Sequence, residues 1–151
     1  MDVSLSTFLH HLPVLTGLDE PAVTFLAGLA REEHYRSGEE IVREGESGNR
    51  IFFISAGRVQ IVKAHGTAQA TRLAEMASGN FFGEMSLVES FPRSASVVAA
   101  EDTTVFSLKG GDFYQLYRHR PEQYGIVVLN IARDLARRLR ALDEKFALIS
   151  T

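Results

Sequence analysis

The sequence predicts an α+β protein: an antiparallel β-roll, or jelly roll, preceded by N-terminal helices and followed by a long C-terminal helix. Three observations carry that expectation. Between residues 32 and 109, short β-rich runs are punctuated by Gly38, Gly45, Gly48, Gly57, Gly66 and Gly79, a spacing that suits strands joined by tight turns. Before that region the apolar residues recur with helical period. After it they recur every seven residues along the longest periodic segment of the chain. A chain of 151 residues with 45% apolar content fits one domain spanning residues 1–151, with a core of ordinary size.

Residues 4–30 are expected to be helical. Leu5, Phe8, Leu9 and Leu12 share one face, and Pro13 ends that segment. Asp19 is placed to cap a second helix with Pro21 in its first turn, and Leu18 and Val23 can close over the cap as a hydrophobic staple. Val23, Leu26, Leu29 and Ala30 continue the apolar face. These helices serve best as a cover for one end of the roll.

The expected strands are residues 40–43, 50–55, 58–63, 71–76, 96–99 and 104–108. Ser55-Ala56-Gly57-Arg58, between two apolar runs, has the composition of a hairpin loop. Past the roll, Asp112 is the expected N-cap of a short helix ending at His119, and Pro121 with Glu122 opens the long helix, about 121–149. In that helix Gly125, Ala132, Leu139 and Phe146 form one seven-residue series, and Val128, Leu135, Leu142 and Ile149 the other. The two series make a seam suited to a parallel pair of helices, hence a homodimer. Ile126, Val127, Leu129 and Ile131 lie off the seam and are expected to pack on the domain itself. The later turns carry Arg137, Arg138, Arg140, Asp143, Glu144 and Lys145 around the seam, where a partner helix explains the pattern better.

Composition narrows the function classes. Sixteen basic against nineteen acidic residues leave a net charge of −3, which argues against a basic nucleic-acid surface. The arginines at 133, 137, 138 and 140 are interrupted by acids, and Asp134–Arg138 has the spacing of an i,i+4 pair. The absence of cysteine excludes disulfides, thiolate metal sites and iron–sulfur clusters. The five histidines lack metal-site spacing, and neither a nucleophile elbow nor a phosphate-binding P-loop occurs. No catalytic constellation is evident, so an enzyme is not expected. Neither a signal peptide nor a stretch of membrane-spanning length is evident, which leads to an expected cytoplasmic location.

One stretch, residues 81–98, interrupts the strand pattern at 82–89. Gly83 has no Cβ and lets the backbone come close to a ligand. The amides of Glu84, Met85 and Ser86 are then donors at a helix start, suited to an anion. Arg93 adds a planar charged fork suited to phosphate. The Glu84 carboxylate would repel a phosphate, so it calls for a donor such as a sugar hydroxyl. An anion and a hydroxyl in one small pocket suggest a nucleotide.

The string Phe82-Gly83-Glu84-Met85-Ser86-Leu87, followed by Pro92-Arg93-Ser94-Ala95-Ser96-Val97, resembles the phosphate-binding cassette of the cyclic nucleotide-binding domain family, of the catabolite activator protein-like kind. The resemblance extends from about Pro13 to Phe146, with 44–49 and 54–59 similar to turns of the family's roll. It implies a regulatory sensor without catalytic chemistry. Glu84 would take the ribose 2′-hydroxyl, Arg93 the cyclic phosphate, and Ser94 with the amides of Met85 and Ser86 would complete the phosphate shell. Phe82, Gly83 and Ala95 complete the ligand-binding set. Glu84 and Arg93 could instead form a structural ion pair at the edge of the roll. Their joint occurrence with Gly83 and Ser94 at the family spacing favours a ligand. Ser94 is the residue the catabolite activator protein has after its arginine, where family members preferring cyclic GMP often carry threonine. Cyclic AMP is therefore the expected ligand, with cyclic GMP the alternative. The resemblance puts Leu142 and Asp143 where that protein's long helix touches adenine. The expected dimer seam is Val128, Ala132, Leu135, Leu139, Leu142 and Phe146. The family's transcription factors add a helix-turn-helix domain after the long helix, and nothing of that kind follows here, so direct DNA binding is not expected. Two other readings stand beside the sensor: a structural dimerisation module with a vacant or repurposed pocket, and a regulator whose DNA-binding part lies on another chain. A downstream protein partner is expected in the sensor reading.

Overall fold

The computed structural model describes residues 3–83 and 92–150. Helix α1 is Val3–His10, a single 3₁₀ turn covers Pro13–Leu15, and α2 is Glu20–Leu29. Eight strands follow: β1 Arg31–Tyr35, β2 Glu40–Val42, β3 Arg50–Ala56, β4 Arg58–Lys63, β5 Thr71–Ala77, β6 Phe81–Phe82, β7 Ser96–Ala99 and β8 Thr103–Lys109. Helices α3 Gly110–His119 and α4 Pro121–Ser150 complete the chain. The strands form two four-stranded antiparallel sheets, ordered β1-β8-β3-β6 and β2-β7-β4-β5.

The alternation of side chains along a strand explains the layering. In β3, Ile51 and Phe53 enter a core shared with the helices, while Phe52 and Ile54 enter a second core with Val59, Val97 and Val105 of the other strands. The first sheet is therefore covered on both faces, by helices and by the second sheet, and β3 is a run of buried residues. Strand β5 has one exposed edge position after another, including Leu73.

Several expectations are corrected. Ser55–Arg58 does not close a hairpin, because β3 and β4 belong to different sheets. The segment is a corner at Gly57, held by the Thr103 hydroxyl donating to the Arg58 carbonyl at 3.0 Å. Phe82 does not break the strand pattern. It pairs with Phe52 in β6. Strand β1 was absent from the expected runs because Arg-Glu-Glu-His-Tyr is almost wholly polar. It lies at a sheet edge, bonded only to β8, where that composition is tolerated. Asp112 is the N3 residue of α3 rather than its N-cap. Lys109 caps the helix, and its amide donates to the Asp112 carboxylate at 2.8 Å.

The Asp19 cap is as expected, with its carboxylate accepting from the Ala22 amide at 3.0 Å and Leu18 and Val23 both buried beside it. Asp19 does more than cap. It pairs with the Arg120 guanidinium, which joins the start of α2 to the junction of α3 and α4. That hydrogen-bonded guanidinium holds the Asp19 carboxyl below its usual range. The Asp19 amide donates to Gln123 Oε1 at 2.9 Å, and Asn130 Nδ2 donates to the carbonyls of Val14 and Thr16 at 3.0 and 2.8 Å. Val127 and Ile131 are buried, so the first half of α4 packs on the domain. Leu129, expected to pack there too, is half exposed at 50% and turns away from that contact. No helix among the described residues is long and apolar enough to cross a membrane.

Candidate ligand-binding site

The site is built where the first sheet ends at its β3–β6 edge. Strands β3 and β6 pair over Phe52–Phe82 and Phe53–Phe81. The rings of Phe52 and Phe82 stack at 4.9 Å between centroids with 12° between planes. Arg93 lies over the Phe52 ring, with its guanidinium carbon 5.9 Å from the centroid. Its Nη2 donates to the Arg50 carbonyl at 3.1 Å. A guanidinium over an aromatic face and on a carbonyl is oriented before any anion arrives.

Two glycines make room for that guanidinium. Gly83 has φ +85°, and a Cβ there would lie 2.6 Å from the Arg50 carbonyl oxygen and 2.8 Å from Arg93 Nη1. Both the left-handed backbone and the close approach require glycine. A Cβ at Gly48 would overlap the Arg93 side chain itself. The loop carrying Gly48 is fixed to Arg93 by backbone bonds: the Arg93 amide donates to the Glu46 carbonyl at 2.7 Å, and the Gly45 amide to the Arg93 carbonyl at 2.8 Å.

Around the guanidinium is an open cavity of about 170 Å³ lined by Ile41, Val42, Gly48, Arg50, Phe52 and Arg93 together with the 46–49 loop. Ile41, Val42 and Phe52 make an apolar wall, and the rest of the lining is polar, with the Arg93 and Arg50 cations and the acid Glu46, a mixture suited to a ligand with both polar and apolar parts. Among the described residues, no group of three histidine or acidic side chains could hold a metal ion.

The floor of the site is tied across the sheet. Arg50 Nη1 donates to the Ser107 hydroxyl at 3.1 Å, and Ser107 Oγ donates to Glu33 at 3.5 Å. Tyr35 donates to the other Glu33 oxygen, and Arg31 Nε to the first at 2.9 Å. Burial pushes the Tyr35 phenol up, and the Glu33 carboxylate adds to it. Burial also pushes Glu33 up, but the bonds from Tyr35 and Arg31 outweigh it and leave the carboxyl below its usual range. The residue whose carbonyl holds Arg93 is thus anchored through a fully buried serine to the far edge strand.

The sequence-expected residues divide into three groups. Arg93 lines the cavity, Gly83 lies against Arg93, Phe82 stacks on the lining residue Phe52, and Ala95 is buried without lining it. Ser94 is exposed, and its carbonyl accepts from Lys63 Nζ at 2.7 Å. Lys63 also pairs with Glu44, whose carboxyl is held low first by the Ala64 amide. Glu84, Met85 and Ser86 lie outside the described residues. Leu142 is 62% exposed, Asp143 is exposed, and neither lines the cavity. The geometry adds Gly48, Arg50 and Phe52. Gly48 was visible only as a turn residue, and Phe52 only as part of the expected strand 50–55. The contribution of Arg50 is a backbone carbonyl, which carries no residue signature.

A family model described as the cyclic nucleotide-binding domain matches residues 32–120, and the chain belongs to that family. The family's domain is a regulatory fold and not a catalytic one. The chain is 35% identical over 138 residues to the cyclic AMP receptor protein of Thermus thermophilus, covering 91% of this chain and 62% of that protein. It spans 23–30% of the length of three further curated relatives. The crystal structure of Thermus thermophilus catabolite activator protein superposes with a TM-score of 0.75 at 35% identity, over 91% of this chain and 63% of that one. A cyclic nucleotide-binding domain from Methylobacillus flagellatus shares the fold, with a TM-score of 0.82 over 97% of this chain and 82% of that one at 23% identity.

Proposed function

We propose that the chain is a cyclic nucleotide sensor that binds cyclic AMP through the Arg93 cavity and reports it by a shift of α4. The observation that carries this reading is the Arg93 guanidinium, pre-oriented over Phe52 beside Gly83 and opening onto the cavity. The cyclic phosphate would exchange the Arg50 carbonyl for a charged acceptor, a stronger hydrogen bond. Glu84 would accept from the ribose 2′-hydroxyl, with Met85, Ser86 and Ser94 around the phosphate. Leu142 and Asp143 would meet the base once α4 shifts, a change of population between two arrangements. Cyclic AMP is favoured over cyclic GMP by Ser94. A downstream protein and a cytoplasmic setting complete the reading, which assigns the chain neither a catalytic nor a direct DNA-binding role.

Calorimetry with cyclic AMP and cyclic GMP tests it. Cyclic AMP should bind the more tightly, and Arg93→Ala should weaken it roughly tenfold to more than a hundredfold, the worth of a charge-assisted pair at about 1.5–3 kcal/mol. Equal affinity in wild type and Arg93→Ala would remove the cavity from the reading. Glu84→Gln should weaken cyclic AMP but leave a 2′-deoxy analogue nearly untouched.

A second reading, a dimerisation module, is favoured by one observation. Leu139, Leu142, Phe146 and Ile149 are 59–82% exposed along one stripe of α4. The two readings are compatible, because a seam on α4 is where a ligand-driven shift would be felt.

A further inference from the structure

The outer half of α4 touches the roll at Arg138. Its Nη2 donates to the Phe81 carbonyl at 3.2 Å, and its guanidinium carbon lies 4.8 Å above the centre of the Phe81 ring. One turn back on the same helix, Asp134 Oδ2 lies 2.6 Å from Arg138 Nε and holds the fork toward the strand. Phe81 is buried and belongs to β6, which is two residues long and, among the described residues, pairs with β3. Two residues on is Gly83, against Arg93 and the Arg50 carbonyl. Phe82, between them, stacks on the same Phe52 ring that Arg93 covers. The path from α4 to the site is therefore continuous in contacts: Arg138, Phe81, then Phe82 with Phe52, then Arg93.

We infer that Arg138 is a positioning residue that clamps α4 to β6, so that the backbone entering Gly83 and the outer half of α4 move as one element. The physical argument lies in what each contact of β6 fixes: its rings are buried against Phe52 and Phe53 of the sheet, and Arg138 is the contact that ties it to α4. A two-residue edge strand has two ladder positions and fixes its own orientation weakly. A guanidinium fork that bonds the carbonyl and also covers the ring of one residue fixes both its backbone and its side chain. A change at Gly83 that turns β6 must then carry Arg138, and Arg138 carries α4. The coupling is reciprocal, so the position of α4 must bias the site to the same extent. The role in signalling rests on the sensor reading above. The clamp itself does not.

Two measurements separate them. The first uses the unliganded chain. Hydrogen exchange in peptides covering residues 79–83 should become about tenfold faster in Arg138→Ala, the result of losing a charge-assisted contact to a carbonyl. Peptides from the β3–β8 pair should be unchanged. Arg138→Lys, which keeps the charge but not the fork, should fall between. Unchanged exchange at 79–83 overturns the clamp. The second uses the absence of cysteine. An environment-sensitive dye on Arg140→Cys, an exposed position on α4, reports its movement. Cyclic AMP should change the dye signal in the wild-type background. With Arg138→Ala that change should be lost while calorimetric affinity shifts by no more than about the factor that reciprocity demands, 5- to 150-fold for typical couplings. A full dye response in Arg138→Ala overturns the coupling. Failure of the wild-type background to bind either cyclic nucleotide overturns the sensor reading instead, and the exchange experiment still decides the clamp.

Discussion

The root and the outer half of α4 are built from the same kind of sequence and behave differently. Both halves carry aliphatic residues at helical spacing. At the root, Val127 and Ile131 are buried, Gln123 accepts from the Asp19 amide, and Asn130 bonds two carbonyls of the N-terminal segment. In the outer half Leu139, Leu142 and Phe146 are each more than half exposed, and Arg138 meets the roll at Phe81. Periodicity predicts an apolar stripe, but what covers the stripe depends on where the helix axis runs. The root runs over α3 and the 3₁₀ turn, so it has a surface beneath it. At 1.5 Å per residue the 30-residue helix is about 45 Å long, and its outer apolar residues stay exposed. A segment fixed by polar and apolar contacts is a fulcrum. A segment whose apolar stripe stays exposed is freer to move.

The largest expected effect falls on the root. Val127→Asp would bury an unpaired charge at a position with 1% exposure, which should cost about 4 kcal/mol or more and unfold much of the protein. Denaturant melting of the variant checks it. Retention of wild-type stability would mean that the root is not anchored as described.

Leu139→Asp is the counterpart in the outer half. At 59% exposure it should change the stability of the single chain by no more than about 0.5 kcal/mol. If the stripe pairs with its copy, the substitution removes about 1.5–3 kcal/mol of leucine burial on each chain and sets like charges together. Sedimentation should then show a monomer with β-rich circular dichroism intact. A wild-type chain that is already monomeric at micromolar concentration would leave the stripe to another partner.

Asn130→Ala should act at the root but more gently. It removes two hydrogen bonds to carbonyls, one part-buried and one exposed, about 1–2 kcal/mol in all. The same measurement on Arg140→Ala, exposed and beyond the root, should show almost nothing, and equal losses would erase the distinction between the halves.

The smallest effect is a pH dependence. The Asp19 carboxyl is lowered in the folded chain by Arg120, so its contribution is complete above the ordinary aspartate value, about pH 4. It is lost as pH falls through the lower folded value. The stability difference between wild type and Asp19→Asn should therefore be constant from neutral pH to about pH 5 and shrink on further acidification. Unfolding midpoints of both proteins across that range check it, and a difference that persists at pH 2 would show that Asp19 acts by some means other than its charge.

What the sequence by itself determined was local: which segments have helical or extended period, where Asp19 and Pro121 start helices, and that Gly83 and Arg93 belong together. These depend on neighbours along the chain, and the matching strands at β4 and β7 and the Asp134–Arg138 pair follow from that. The assignment of β3 and β4 to different sheets was not legible, because a corner and a hairpin use the same small, flexible residues. Nor was β1, whose polar sequence is explained only by its place at an edge. The site divides the same way. Gly83 and Arg93 carry their chemistry in their side chains, or in the lack of one, and could be read. The Arg50 carbonyl under Arg93, the Ser107–Glu33 tie beneath it and the reach of Arg138 to Phe81 join residues dozens of positions apart. Only the closing of the two sheets and the laying of α4 across them decided those contacts, since a backbone carbonyl is the same at every position until tertiary structure brings a donor to it.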